Sequence, residues 1–176
     1  MEPKADFAEA VRRAFADCDA LVFVMATGIV VRTIAPLVQS KASDPAVLVL
    51  DQRGKHVISL LSGHLGGANA MAEQAAAYLG GEAVITTATD VEHVPAFDLF
   101  AKENHLTIEN LEELKYISGA LVAGDPVSLC TAFPVEKNAF PETVQIQPFS
   151  ETPPHACAVA IADTTESVAA PHVLYL

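Results

Sequence analysis

Phe7, Ala8, Val11, Ala14 and Phe15 repeat at helical spacing, which predicts an amphipathic helix over residues 7–16. Leu21–Met25 is an unbroken apolar run, the mark of a strand buried on both faces. Val47–Leu50 reads the same way, and His56–Leu61 and Ala83–Thr86 are further strands. Residues 29–38 look helical but contain Pro36, which has no N–H and crowds the carbonyl of Arg32. That segment is therefore kinked or made of two short turns. Ala68–Leu79 is an alanine-rich helix closed by Gly80-Gly81. Alternating strands and helices predict a first half of α/β class, with a parallel sheet covered by helices.

The second half is less regular. Pro95–Asn104 predicts a helix with proline in its first turn. Asn110 with Glu113 three residues on resembles a capping box. Leu111, Leu114, Ile117 and Leu121 then form a stripe ended by Gly124-Asp125-Pro126. Short strands are predicted at 127–130, 143–146, 156–162 and 172–176. The result is a second, small α/β domain.

Charge and composition support two units. Residues 1–90 carry net charge -3 and residues 91–176 net -9, with seven of nine glycines before residue 82 and eight of eleven prolines after residue 90. The shift predicts a boundary around Asp90–Val94, with domains 1–92 and 93–176. A total charge of -12 over 176 residues argues against a nucleic-acid partner. No apolar run reaches about 18 residues, so no membrane span is expected. The polar start lacks a signal-peptide pattern, and the three cysteines form no CxxC pair, which argues against a zinc site. A cytoplasmic protein without a bound metal is the expectation. The apolar finish at residues 172–176 suggests a trimmed chain.

In a parallel sheet, ligands collect beyond the carboxyl ends of the strands. Three segments are predicted there: Ala26-Thr27-Gly28, Ser62–Asn69 and Thr86–Asp90. Each can present unpaired backbone N–H groups, which favour an anion. Gly63, Gly66 and Gly67 allow close approach of a ligand or a merely tight turn. The segment is neither a P-loop nor GxGxxG. His64 between glycines is a candidate acid–base group or a solvent-facing imidazole. Asn69 could donate to a ligand or steady the helix start. Arg32, alone in an apolar stretch, could grip a carboxylate or pair with Asp51 or Asp90. Asp51 is a base, an orienter of His64, or an ordinary turn aspartate. Thr87 and Asp90 offer a hydroxyl and a carboxylate, or helix capping. The other five histidines have no metal-ligand spacing and read as structural.

The same residues carry a family resemblance. Ala20–Leu37 with its Ala26-Thr27-Gly28 and Arg32, Ser43–Val47 leading to Asp51, Leu60–Asn69, and Val84–Asp90 resemble, in order, the blocks of the cobalamin biosynthesis protein CbiG family. Phe97-Asp98 and Glu109-Asn110-Leu111 resemble its middle region. Compared with that family, the chain lacks a first strand–helix unit and a C-terminal domain. The resemblance implies cobalt-precorrin-5A hydrolase activity in the anaerobic route to vitamin B12. The δ-lactone of the macrocycle is opened and acetaldehyde is released. The implied partner is a cobalt-bearing tetrapyrrole fringed with carboxylates; a homo-oligomer and neighbouring pathway enzymes are compatible additions. No separate cofactor is implied, since cobalt arrives with the substrate. In this reading His64 handles water or a proton, Asp51 or Asp90 orients it, and Arg32 holds a carboxylate. Thr27, Gly28, Gly63, Gly66, Gly67, Asn69 and Thr87 complete the substrate site.

Two other readings remain. One is a non-catalytic corrinoid-binding or scaffold fragment that needs the absent C-terminal domain. The other is a generic nucleotide-binding α/β domain, which the missing glycine fingerprints disfavour.

Overall fold

A computed structural model describes residues 6–136, 139–149, 152–162 and 167–176. The chain divides between Thr87 and Ala88 into two compact units.

The first unit runs α1 (Phe7–Asp17), β1 (Ala20–Val24), α2 (Thr27–Ile34), β2 (Ala46–Leu50), β3 (His56–Leu61), α3 (Ala68–Leu79) and β4 (Glu82–Val84). Asp6 caps α1 by accepting from the Ala8 amide at 3.2 Å. Pro36 ends rather than kinks its helix: α2 stops at Ile34 and a turn follows. The sheet order is β1-β2-β3-β4. Every residue of β2 is buried because both faces are covered. Val47 and Val49 face α1 and α2 through Val11, Val30 and Ile34. Ala46, Leu48 and Leu50 face α3 through Ala68, Ala72 and Ala76, one residue per turn. Small side chains at these three positions let α3 lie close against the sheet.

The α/β class holds, with helices over largely parallel strands. One pair departs from the all-parallel expectation. β2 and β3 are antiparallel, while β1–β2 and β3–β4 are parallel. The reason is connection length. Only residues 51–55 join β2 to β3, and a parallel crossover needs about a dozen residues or more. Carboxyl ends of β1 and β2 therefore lie at one edge, and those of β3 and β4 at the other. β3 also carries a bulge. Val47 pairs with Leu61 but Leu48 pairs with Ser59, so Leu60 is the extra residue.

The second unit runs α4 (Ala88–Val91), α5 (Phe97–Glu103), a 3-10 turn (Leu111–Glu113), α6 (Leu114–Ala123), β5 (Val127–Thr131), β6 (Val144–Pro148), β7 (Cys157–Ile161) and β8 (His172–Tyr175). Its sheet, ordered β6-β5-β7-β8, is parallel throughout. Phe97, Ile117, Leu121, Leu129 and Leu174 are each at most 1% exposed and form its core. Each contributes on the order of 2 kcal/mol by burial. The expected capping box is not formed. Asn110 makes no side-chain cap; it donates to Val173 O at 2.7 Å and accepts from Tyr175 N at 2.9 Å. Glu113 pairs with His172 at 3.0 Å, and Tyr116 stacks on that imidazole. Asn110 instead seals the outer backbone edge of β8, an edge strand, while Glu113 holds the His172 side chain on that strand.

Candidate active site

The opposed edges of the first sheet separate the predicted site residues into two groups. At the carboxyl ends of β1 and β2, α2 begins at Thr27, where the first amides, those of Thr27 and Gly28, have no partner within the helix and no side-chain cap. An open cleft of ≈ 720 Å³ lies there, lined by Thr27, Asp51, Arg53 and His56 among others. Arg32 folds back along its own helix and donates to Gly28 O at 2.9 Å. A Cβ on Gly28 would stand 3.1 Å from that guanidinium nitrogen, so glycine makes room for it.

Asp51 serves the turn. Its carboxylate accepts from the amides of His56 at 2.7 Å and Arg53 at 2.8 Å, with the His56 imidazole 3.5 Å away. The His56 and Arg53 amides hold its pKa below the ordinary value of 3.8. A depressed carboxylate stabilises the fold above its unfolded pKa, and that stability is lost as pH falls through the lower folded value. Asp51→Asn should therefore melt earlier than the parent at pH 7, with the gap closing below about pH 3.8. Thermal melts from pH 7 to pH 2.5 check this. Equal melting temperatures at pH 7 would remove the carboxylate from the turn's stability.

At the opposite edge, β3 runs through its bulge into Ser62–Asn69. Ser62 adopts a left-handed backbone, φ 57°, and its hydroxyl donates to Asp44 O at 2.9 Å. The Gly67 amide bonds to His64 O, Ala68 to Ser62 O and Asn69 to Gly63 O, at 3.0–3.2 Å. The expectation of unpaired amides here is thus corrected for these three, which close the turn on itself. His64 is half-buried within it.

Asn69 is 6% exposed and anchors the turn from behind. A Cβ on Gly63 would meet Asn69 Oδ1 at 2.7 Å. Asn69 Oδ1 accepts from the Ser59 hydroxyl at 2.7 Å, and its Nδ2 donates to Thr87 Oγ1 at 3.1 Å. His64, Gly63, Gly66, Gly67, Asn69 and Thr87 are therefore brought together. Thr27, Gly28, Arg32 and Asp51 are not among them. A five-residue strand separates the two edges, roughly 16 Å. Asp51 does not orient His64, and Arg32 pairs with a carbonyl rather than with Asp51. Asp90 lies on α4 in the second unit. Ser59 was not a candidate from sequence; its signal was a polar residue inside an otherwise apolar strand. Among the described residues, no group of three or more His, Cys, Asp or Glu is placed to hold a metal ion. Nor is any helix long and apolar enough to cross a membrane.

Two helix-flanked sheets of largely parallel strands define an α/β protein. Residues 9–90 match the family model described as Cobalamin synthesis G N-terminal, and residues 95–176 match Cobalamin biosynthesis central region. The chain belongs to this cobalamin biosynthesis G family and carries its N-terminal and central regions. It is 50% identical over 124 residues to a cobalt-precorrin-5A hydrolase of Salmonella typhimurium, covering 70% of this chain and 35% of that protein. It is 41% identical over 109 residues to the Priestia megaterium protein of the same name, covering 62% and 29%. A crystal structure described as a cobalamin biosynthesis protein G homolog from Sulfolobus solfataricus aligns with TM-score 0.52 at 26% identity. That alignment covers 98% of this chain and 48% of the homolog. The chain thus spans about a third of the length of these two curated relatives.

Proposed function

We propose that this chain takes part in cobalt-precorrin-5A hydrolysis and that the reaction occurs at the Ser62–Asn69 turn. Membership of the family and the names of its relatives support the substrate. The observation that carries the location is the left-handed Ser62 together with the buried Asn69, which hold an imidazole between glycines at a strand end. Left-handed backbone at a non-glycine residue is costly and concentrates at working sites.

In the proposed reaction, water adds to the lactone carbonyl and the ring ester C–O bond breaks, leaving a carboxylic acid and a secondary alcohol. The alcohol then loses its proton and becomes acetaldehyde as its carbon–carbon bond to the macrocycle breaks. The electron pair enters the conjugated macrocycle, which takes up a proton. His64 is the group that moves the proton. The macrocycle serves as electron sink and brings the cobalt, so the proposal uses no separate cofactor. Thr27, Gly28, Arg32 and Asp51 stand outside this reacting site.

Incubating the chain with cobalt-precorrin-5A and trapping the volatile aldehyde is the test. One acetaldehyde per substrate consumed is expected. Tight binding without acetaldehyde would replace the hydrolase reading with a corrinoid-binding one, which the chain's one-third share of its relatives makes the competing account.

A further inference from the structure

We infer that the Thr87 hydroxyl donates a hydrogen bond to a substrate oxygen at this site, oriented by Ser59 through Asn69. The inference rests on the hydrolase reading for the identity of that oxygen.

The Ser59 hydroxyl donates to Asn69 Oδ1 at 2.7 Å, and the amide lies with Nδ2 facing Thr87. An amide nitrogen only donates, so Thr87 Oγ1 must accept from it at 3.1 Å. A threonine hydroxyl has a single hydrogen, and with Asn69 as donor that hydrogen is left to point away from Asn69. The arrangement is a one-way chain, Ser59 to Asn69 to Thr87, ending in a donor at the sheet edge. Asn69 is held rigidly, being 6% exposed and packed against the Cα of Gly63. The same Gly63 precedes His64, so donor and imidazole share one support. Thr87 itself is only half-buried, which leaves its hydroxyl reachable.

The lactone carbonyl oxygen gains negative charge as water adds to its carbon. A donor fixed in advance stabilises that charge without rearranging, and removing one such donor lowers the rate about 10²-fold or more. The turn amides of Gly67, Ala68 and Asn69 cannot fill this role, because each is bonded within the turn. Thr87 has the right polarity beside them. Ser59 and Asn69 are positioning residues that act through it.

Asn69→Asp provides the sharpest test. Aspartate keeps the shape but replaces the donor facing Thr87 with an acceptor. The Thr87 hydrogen then turns inward to the carboxylate, so the clamp survives while the outward donor is lost. With cobalt-precorrin-5A, Thr87→Val and Asn69→Asp should each lower kcat about 10²-fold with KM within about threefold. Thr87→Ser should recover most of the rate, and Ser59→Ala should lower kcat about tenfold. Two outcomes overturn the inference while parent activity is intact: Asn69→Asp turning over like the parent, or a change confined to KM, which would put a peripheral carboxylate on Thr87. A substrate-free measurement stands beside these. The Asn69 side-chain amide should exchange slowly in the parent and faster in Ser59→Ala by proton–nitrogen NMR. Solvent-rate exchange in the parent would refute the chain of bonds whatever the protein catalyses. A parent that neither binds nor converts substrate refutes the hydrolase reading instead, and the assignment of the oxygen falls with it.

Discussion

His64→Ala lowers acetaldehyde release by about 10²–10⁴-fold, the usual worth of a positioned proton-transfer group. Binding of cobalt-precorrin-5A, followed by the visible absorbance of the macrocycle, stays within about threefold. The split follows from what the side chain does in the proposal. An imidazole that carries a proton in the transition state contributes little to ground-state binding, so its loss falls on kcat. His64→Gln keeps a polar group of similar reach without acid–base capacity and should be as slow as the alanine variant. The turn itself should persist in both, since the backbone bonds of Ser62, Gly63 and His64 to α3 do not use the imidazole. Single-turnover kinetics with a melting curve for each variant give the answer. A rate loss under about tenfold, with folding intact, would remove His64 from the chemistry.

Local signals explain most of what could be read from the chain. Helix α3 has the bounds its flanks announced, because Gly67 and Gly80 take left-handed backbone at either end and an alanine stripe faces the sheet. The apolar runs of β2, β5 and β7 are legible because burial on two faces leaves no room for alternation. The run at β1 is the exception: it is not buried on both faces as expected, since Val22 and Val24 are 56% and 58% exposed and only Leu21 and Phe23 pack against the helices. Misreadings arose where a residue's partner lies far along the chain. Asn110 and Glu113 have the spacing of a capping box, yet β8, about sixty residues later, competes successfully for both side chains. Asp51 can orient His64 only if β3 runs parallel to β2, and it runs antiparallel. The five-residue link between them was visible, and its geometric consequence moves the glycine turn to the far edge. Ser59 is the instructive omission. A lone hydroxyl in a strand has no sequence partner to announce it, and its meaning appears only when α3 brings Asn69 against it.

Gly66→Ala and Gly67→Ala should separate steric from conformational need for glycine within one turn. At Gly66 a Cβ would lie 2.4 Å from the Ser62 Cβ, 2.7 Å from the Ser62 carbonyl oxygen and 3.3 Å from the Ala46 amide nitrogen. None of these can yield cheaply. Ser62 is pinned by its bond to Asp44 O, and Ala46 is the first residue of the buried strand β2. The methyl must therefore displace the turn, at about 3 kcal/mol, the upper part of the usual range for an overpacked site. A displacement of about 1 Å at a reacting group lowers rate by around 10²-fold, so turnover should fall even in the folded fraction. At Gly67 nothing lies within 4 Å of the added methyl, but the backbone is left-handed at φ +87°. There the penalty is conformational, about 1 kcal/mol, and the turn keeps its path. Urea denaturation and acetaldehyde assays on the pair should thus rank Gly66→Ala well below Gly67→Ala on both measures. If Gly67→Ala were the more damaging to turnover, the close contact between Gly66 and Ser62 would not be what shapes the site, and the placement of His64 by that contact would have to be abandoned.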